Sequence, residues 1–393
     1  MTTTTLPDAG TAYERKPATY NATLTQVGRG TPMGELLRRY WHPIGVSADA
    51  SEVPRKVRVL GEDLILFRDG QGRPGLLYPH CAHRGTSLYY GRVEGGGIRC
   101  CYHGWLFDVQ GHCTDQPCEP QGGLSRDRIR QPWYPVEERY GLIFAYMGPP
   151  DRKPVLPRYA ALEDLAEGEF IEANDQSIGG GGPQIIPCNW LQHFENVVDP
   201  FHVVILHSSF SGTQFVPQMG VMPEVAFDYT DAGVSATAVR RLDDGKTLRR
   251  VGEAALPTLR VIPSPRLAHY GTVESLGWVL PIDDTSFRIY TAGRVRREGD
   301  IARSRSRMNG KLWEELTEAE HQRMPGDYEA QVSQGPIAWH SEENLTTSDR
   351  GLVLLRRMFK QQLDVVAAGG DPVGVNFDRD APPIVFAAGN FLE

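Results

Sequence analysis

Cysteine is scarce in this sequence, with 6 residues in 393 beside 11 histidines. So few thiols exclude a disulfide-stapled scaffold, and where they cluster they point to metal or redox chemistry in a reducing compartment. Basic charge is also short. The 41 Lys and Arg are outnumbered by 49 Asp and Glu, for a formal net charge of −8, which excludes nucleic-acid binding as the main activity. No apolar run approaches the roughly 20 residues needed to cross a bilayer, "GLIFAYMG" being among the longest. Internal repeats, long low-complexity tracts and a glycine-rich nucleotide-binding motif are all missing. The opening stretch "MTTTTLPDAGTAYERKP" has no apolar core of a secretory leader, so the expected location is the cytoplasm.

What remains is enough for two or three packed domains, since 40% of the residues are hydrophobic. Residues 1–40 read as a polar arm, a turn at "GRGTP" and a short helix, "MGELLRRYW", packing on a later domain. Residues 41–150 are short alternating strands broken by Gly and Pro, a small all-β domain that ends at the linker "PPDRKPVLPRY". In residues 151–393 a Gly run, "SIGGGGP", precedes a helix around "CNWLQHFENVV". Strand-like runs follow at 234–242, 258–262, 267–280 and 286–297, then helices at "KLWEELTEAEHQRM" and "DRGLVLLRRMFKQQLDVVAAGG". Leu352, Leu355, Phe359 and Leu363 share one face of the last helix and Gly369 stops it. The expected class is α+β, with the larger domain an antiparallel sheet flanked by helices.

Four of the scarce ligand-type residues fall in two short clusters. Cys81-x-His83 is followed after 16 residues by Cys100-x2-His103. Structural zinc sites more often pair like with like on one turn. A thiolate and an imidazole from each of two loops suit a binuclear iron–sulfur cluster, with the thiolates on one iron and the imidazoles on the other. Cys101 is adjacent to Cys100 and should point away. Cys113, Cys118 and His112 in "GHCTDQPC" read as small buried or turn residues.

A second pattern, Asp199-x2-His202-x4-His207, is weak by itself, because a helix carrying two histidines is common. Positions five apart lie about 140° from one another on a regular α-helix. To share a metal, these histidines need the helix to bend or end between them. A facial triad requires one carboxylate more, and Asp283, Asp284, Asp327, Glu342 and Glu343 are candidates. Asp283-Asp284 suits a turn, and Glu342-Glu343 suits the dipole of the last helix.

The first motif, followed by Gly104-Trp105, resembles the Rieske [2Fe–2S] signature. "GTPMGELLRRYWHPIG", "CAHRG" and "CYHGWLFDVQG" resemble the oxygenase subunits of Rieske non-haem iron oxygenases, in the phthalate dioxygenase and dehydrodivanillate O-demethylase branch. The likeness runs from about Leu24 to about Phe359. It implies Cys81 and Cys100 on one cluster iron and His83 and His103 on the other, with Cys101 where many relatives have Pro. It also implies a mononuclear Fe(II) held by His202 and His207. Asp327, in "GDYEAQVSQGPI", is implied as the third ligand. Asp199 is implied as a bridge between the iron ligand His202 and His103 of a neighbouring subunit. Its simpler reading is a helix cap beside Pro200. Gln192, Glu195 and Asn196 would support the site.

The implied activity is that of a terminal oxygenase that hydroxylates or O-demethylates an aromatic, carboxylated or methoxylated substrate. Electrons would come from a separate NAD(P)H-dependent reductase with flavin and iron–sulfur groups, and the assembly would be a trimer or stacked trimers. The rival reading is an electron carrier whose C-terminal domain only binds a ligand. Pocket residues are expected from the sheet and from "SSFSGTQFVPQMG", with no arginine singled out as a carboxylate anchor. The arginine run "RVRREGDIARSRSR" reads as a solvated loop, with a docking patch or a mouth for anions as alternatives.

Overall fold

Alternating apolar residues around a tight turn set the first hairpin. Arg55–Val59 pairs antiparallel with Glu62–Arg68, and the two connecting residues both have positive φ, Leu60 at 48° and Gly61 at 80°. That is the twist-matched geometry of a two-residue hairpin. A computed structural model describes residue 12 and residues 15–175, 182–212, 214–300 and 310–393. The hairpin continues into a four-stranded antiparallel sheet with Pro74–Leu77 and Trp133–Tyr134. A second four-stranded sheet is a meander of Arg92–Glu94, Gly97–Arg99, Leu106–Asp108 and Cys113–Asp115. Ile65, Phe67, Leu77, Ile98 and Phe107 form a core that also encloses Cys81 and Cys100. A three-stranded sheet of Trp41–Val46, Leu142–Tyr146 and Val136–Arg139 joins this half to the rest.

The large sheet is antiparallel throughout. Its order is Phe170–Asn174, Ser286–Val295, Ser275–Asp283, Leu259–Val261, Thr247–Ala255, Gly233–Arg241, Glu224–Tyr229. Gly389–Leu392 pairs beside Leu259–Val261 on the strand Thr247–Ala255. One face carries Trp278, which packs edge-on to Phe144 of the three-stranded sheet at 5.6 Å between ring centres. The opposite face carries Phe287, on which His193 of the helix Trp190–Asn196 stacks at 5.2 Å. The long helix Arg350–Ala367 covers the far end of that face. Its Gly351 is forced by close approach, since a Cβ there would lie 2.6 Å from the Val198 carbonyl. Small antiparallel sheets beside a larger helix-flanked antiparallel sheet make an α+β fold, and among the described residues no helix is long and apolar enough to cross a membrane.

The early helix is Pro32–Leu37, capped by Thr31 and started by Pro32 at its first position. Four strands of the large sheet lie outside the runs marked by periodicity: Phe170–Asn174, Glu224–Tyr229, Thr247–Ala255 and Gly389–Leu392. Thr247–Ala255, in "TLRRVGEAA", carries arginine and glycine at positions where an apolar residue would have signalled a buried face. The helix expected over "KLWEELTEAEHQRM" is broken instead. Trp313–Glu315 is one short turn, and Thr317 caps a new helix, Glu318–Arg323, through a reciprocal bond with Glu320. Residues 301–307 of the arginine run and 177–181 of the Gly run lie outside the described residues.

Candidate metal centres

The two Cys/His loops have the same backbone design. The Cys81 amide donates to the Thr86 carbonyl at 2.9 Å, and the Gly85 amide returns to the Cys81 carbonyl at 2.8 Å. In the second loop the Cys100 amide donates to Trp105 at 2.8 Å and the Gly104 amide to Cys100 at 3.1 Å. Both turns close only because a residue with positive φ sits at the corner, Gly85 at 76° and Gly104 at 72°. Cys81 and Cys100 are buried against one another. Burial first, then the neighbouring thiol, pushes Cys81 up to about 12, opposed by the amides of His83 and Arg84 that point at its sulfur. Such a thiol becomes a thiolate only beside a cation, and the two amides are ready donors to a bound sulfur.

The imidazoles pair likewise. The His83 and His103 rings are 4.5 Å apart, and Trp105 stacks on His83 at 4.3 Å. Burial, followed by His103 and Arg84, holds His83 below its ordinary value. Its Nδ1 is buried with no hydrogen-bond partner, as a ligating nitrogen requires before its metal is bound. Thiol beside thiol and imidazole beside imidazole fit two irons better than a single ion. Cys101 is exposed, Cys113 is buried, and Cys118 is exposed with its sulfur 3.6 Å from the His103 carbonyl. His112 bonds Asp108 in a turn.

Two residues that sequence reasoning missed brace these loops. Gln131 is fully buried and accepts from the Ala82 amide at 2.7 Å. Its own amide donates to the carbonyls of Tyr78 and His80 at 2.7 and 2.9 Å. Arg99 holds the second loop through the Gly104 carbonyl and Asp115. A lone glutamine 49 residues from the Ala82 amide it binds gives no local signal.

The second centre lies where a helix changes pitch. Phe201–Val204 is α-helical, and Ile205–Phe210 continues as a π-helix. Bonds from i to i+5 bring residues five apart onto one side. His202 and His207 therefore share a face without the bend or break that a regular helix would need. Asp327 meets them from the first turn of the helix Asp327–Val332. Its Oδ1 is 3.2 Å from His207 Nε2 and 3.8 Å from His202 Nε2. The three ligand atoms lie within 4.8 Å of one another, the one such group among the described residues. Burial opposes ionisation of Asp327, yet His207, His202 and His193 hold its carboxyl far below the usual carboxylate range. Burial also opposes protonation of His207, but Asp327 raises it above its ordinary value. A carboxylate and two imidazoles gathered in a largely buried place suit a metal that leaves positions open.

The supporting residues are specific. Gln214 accepts from His207 Nδ1 at 2.6 Å. Asn196 approaches Asp327 at 3.4 Å. Gln192 ties the helix Trp190–Asn196 to the Gln331 and Gly335 carbonyls and to the Ala338 amide. Asp199 accepts from the amides of Phe201 and His202 at 3.0 and 3.3 Å, and its other oxygen faces His202 Nδ1 at 3.5 Å. Glu195 is farther out, sharing Arg356 with Glu343. The other carboxylates weighed as ligands are engaged elsewhere. Asp283 bonds Thr285 and Ser286, Asp284 the Val27 amide, and Glu342 pairs with Arg15.

Residues 40–135 match the family of the Rieske [2Fe-2S] domain. The chain is 53% identical to the phenoxybenzoate dioxygenase subunit alpha of Ectopseudomonas oleovorans, over 98% of this chain and 94% of that protein. It is 34% identical to the 5,5'-dehydrodivanillate O-demethylase oxygenase subunit of a Sphingobium species, over 91% and 83%. The fold is that of NdmA from Pseudomonas putida CBB5, solved as a QL mutant with caffeine: TM-score 0.63, 18% identity, covering 89% of this chain and 99% of that one. The family uses a [2Fe–2S] cluster and a mononuclear non-haem iron, in multicomponent systems with a separate reductase. This chain belongs to the Rieske non-haem iron oxygenases, as an oxygenase subunit.

Proposed function

We propose that Cys81, His83, Cys100 and His103 hold the cluster and that His202, His207 and Asp327 hold Fe(II), in an enzyme that hydroxylates or O-demethylates an aromatic substrate. The convergence of the two histidines and Asp327 within 4.8 Å carries this reading. It separates an oxygenase from a bare electron carrier. When bound, the cluster supplies single electrons and the ferrous ion supplies the oxygen chemistry. The protein's share is positional. Gln131 and Arg99 set the two cluster loops, Gln214 orients His207, and Gln192 fixes the Asp327 helix against the histidine helix.

Asp199, on the same reading, is a positioning residue between the two centres. It faces His202 on its own side and would accept from His103 of an adjacent subunit in a trimer or stacked trimers. Exposed aromatic side chains beside the cluster loops, Tyr89, Tyr90 and Tyr102, support an inter-subunit contact there. The division at residues 40 and 150, a cytoplasmic location and an NAD(P)H-dependent flavin and iron–sulfur reductase complete the proposal.

Iron counting tests it. The reading expects three irons per chain, and Asp327→Ala should lower the count to two while the visible cluster spectrum stays. A variant with three irons and full turnover would remove Asp327 from the ligand set. Two irons in the parent protein after anaerobic Fe(II) loading would favour the electron carrier.

A further inference from the structure

Three arginines, Arg240, Arg250 and Arg260, stand on one face of the large sheet. Arg240 is opposite Leu248, Arg250 opposite Ala238, and Arg260 opposite Ala254. Partners across an antiparallel pair share a face and alternate residues return to it, so all three point the same way. That face is the one with Phe287, reached through the pairs Arg260–Gly277 and Gly277–Thr291. It faces the second metal centre, because His193 stacks on Phe287 and Arg260 lies in the field of both His193 and Asp327.

These cations lack what comparable arginines have. Arg38 pairs with Glu62, Arg39 with Asp371, Arg288 with Asp175, and Arg356 with Glu195 and Glu343. Among the described residues, none of the three on this face has a carboxylate. Arg240 donates to the Val221 carbonyl, and Arg250 to the Ser264 carbonyl and Asn390. Arg260 has no hydrogen-bond acceptor among the described residues, and its Nε is buried without a partner. Burial lowers Arg260 to about 10, and burial with the like charge of Arg240 lowers Arg250 to about 9. Both stay charged at neutral pH. Arg250 and Arg260 are only partly buried, so an incoming anion can reach these cations and supply the paired carboxylate that the protein does not.

The face is not sealed. Arg250, Gly252 and Arg260 are all only partly buried, and Gly252, between the two arginines, puts no side chain over the sheet. On its other side the Arg260 guanidinium lies over Gly277, with Nη1 3.8 Å from where a Cβ would stand. A planar guanidinium binds a carboxylate through two parallel bonds.

We propose that this arginine face is the anion-recognising wall of the substrate chamber, and that Arg260 engages the carboxylate of an arene carboxylate substrate. The proposal rests on the oxygenase reading and adds the substrate class and its anchor. The apolar cavity lined by Tyr40, Trp41, Phe144, Leu259 and Trp278 lies on the opposite sheet face and is not this chamber.

The test is calorimetric binding to the holoprotein, independent of turnover, with 3-phenoxybenzoate and its neutral carboxamide as probes. The parent protein should prefer the carboxylate by tenfold or more. Arg260→Gln should weaken carboxylate binding by about 100-fold and leave the carboxamide within about threefold, with partial recovery in Arg260→Lys. Parent-like carboxylate binding by a folded Arg260→Gln protein with an intact cluster spectrum would overturn the anchor. Equal parent affinities for carboxylate and carboxamide would overturn the substrate class while leaving the oxygenase reading to iron counting. If Arg260→Gln does not fold, the parent preference and Arg260→Lys decide. No binding of either probe would overturn the proposal.

Discussion

Gln214 accepts from the Nδ1–H of His207 at 2.6 Å, so in the neutral ring the lone pair lies on Nε2, 3.2 Å from Asp327. The glutamine thereby fixes the tautomer that a metal needs and prevents the ring from turning. Gln214→Leu removes this acceptor without touching a proposed ligand. Fe(II) affinity, measured by competition with a chelator, is expected to fall by about 10- to 100-fold, while the cluster spectrum is unchanged. Unaltered affinity would show that packing against Phe215 is enough to orient the ring.

Gln131 offers the matching test at the first centre. It makes three bonds to the first cluster loop and its flank, and all three are lost in Gln131→Leu. At about 1 kcal/mol per bond the loop loses about 3 kcal/mol of support, and the Ala82 amide and two carbonyls are left without their partner. Acid-labile sulfide and cluster absorbance per chain should drop by half or more, and Gln131→Glu should restore the Ala82 bond only. A full complement of sulfide in Gln131→Leu would mean that the loop holds its shape through its glycine corner alone.

The fold class and the candidate site were legible in the residues to different degrees. Cys81, His83, Cys100 and His103 stood out because scarce residue types fell at short spacings, and the two halves of the fold separated by their turn density. The relation between His202 and His207 was legible only as a contradiction, because a five-residue interval does not suit a regular helix. The change to π-helical pitch removes it and could not be read from "HVVILH". Gln131, Gln214 and Arg260 were invisible for a common reason. Each acts through a partner far along the chain or across a sheet, and no periodicity marks a polar residue whose environment is made by tertiary contact. Thr247–Ala255 was missed as a strand for a related cause, since Arg250 and Gly252 occupy the face where an apolar side chain would be expected.

His42 gives a pH prediction clear of the metals. It sits buried in the strand Trp41–Val46 with Nε2 2.8 Å from the Leu37 carbonyl. Burial lowers it from 6.5 to about 4, with the Leu37 bond working the other way. The unfolded chain takes up the proton first, so the stabilising contribution is complete above pH 6.5 and is lost as the pH falls toward 4. Between pH 7 and 5 this amounts to about 2 kcal/mol. Urea midpoints should fall over that interval in the parent protein, and the fall should be about 2 kcal/mol smaller in His42→Gln. An equal fall in both would place the acid sensitivity elsewhere.

Asp199 can be a helix cap, a positioning group, or both, and two substitutions separate the roles. Its Oδ1 accepts from the amides of Phe201 and His202, and its Oδ2 faces His202 Nδ1 at 3.5 Å. Asparagine caps as well as aspartate, so Asp199→Asn should leave folding stability, iron content and the cluster spectrum at parent levels. It removes the negative charge beside His202, however, and a mere cap would not register that change. With the cluster reduced beforehand, its reoxidation in the presence of substrate and O2 should slow by about 10- to 100-fold in Asp199→Asn. Asp199→Ala should add a loss of about 1 kcal/mol in stability, because the cap is removed as well. Parent-rate reoxidation in Asp199→Asn together with a destabilised Asp199→Ala would reduce this residue to its cap, and the path between the two centres would then have to run through other groups.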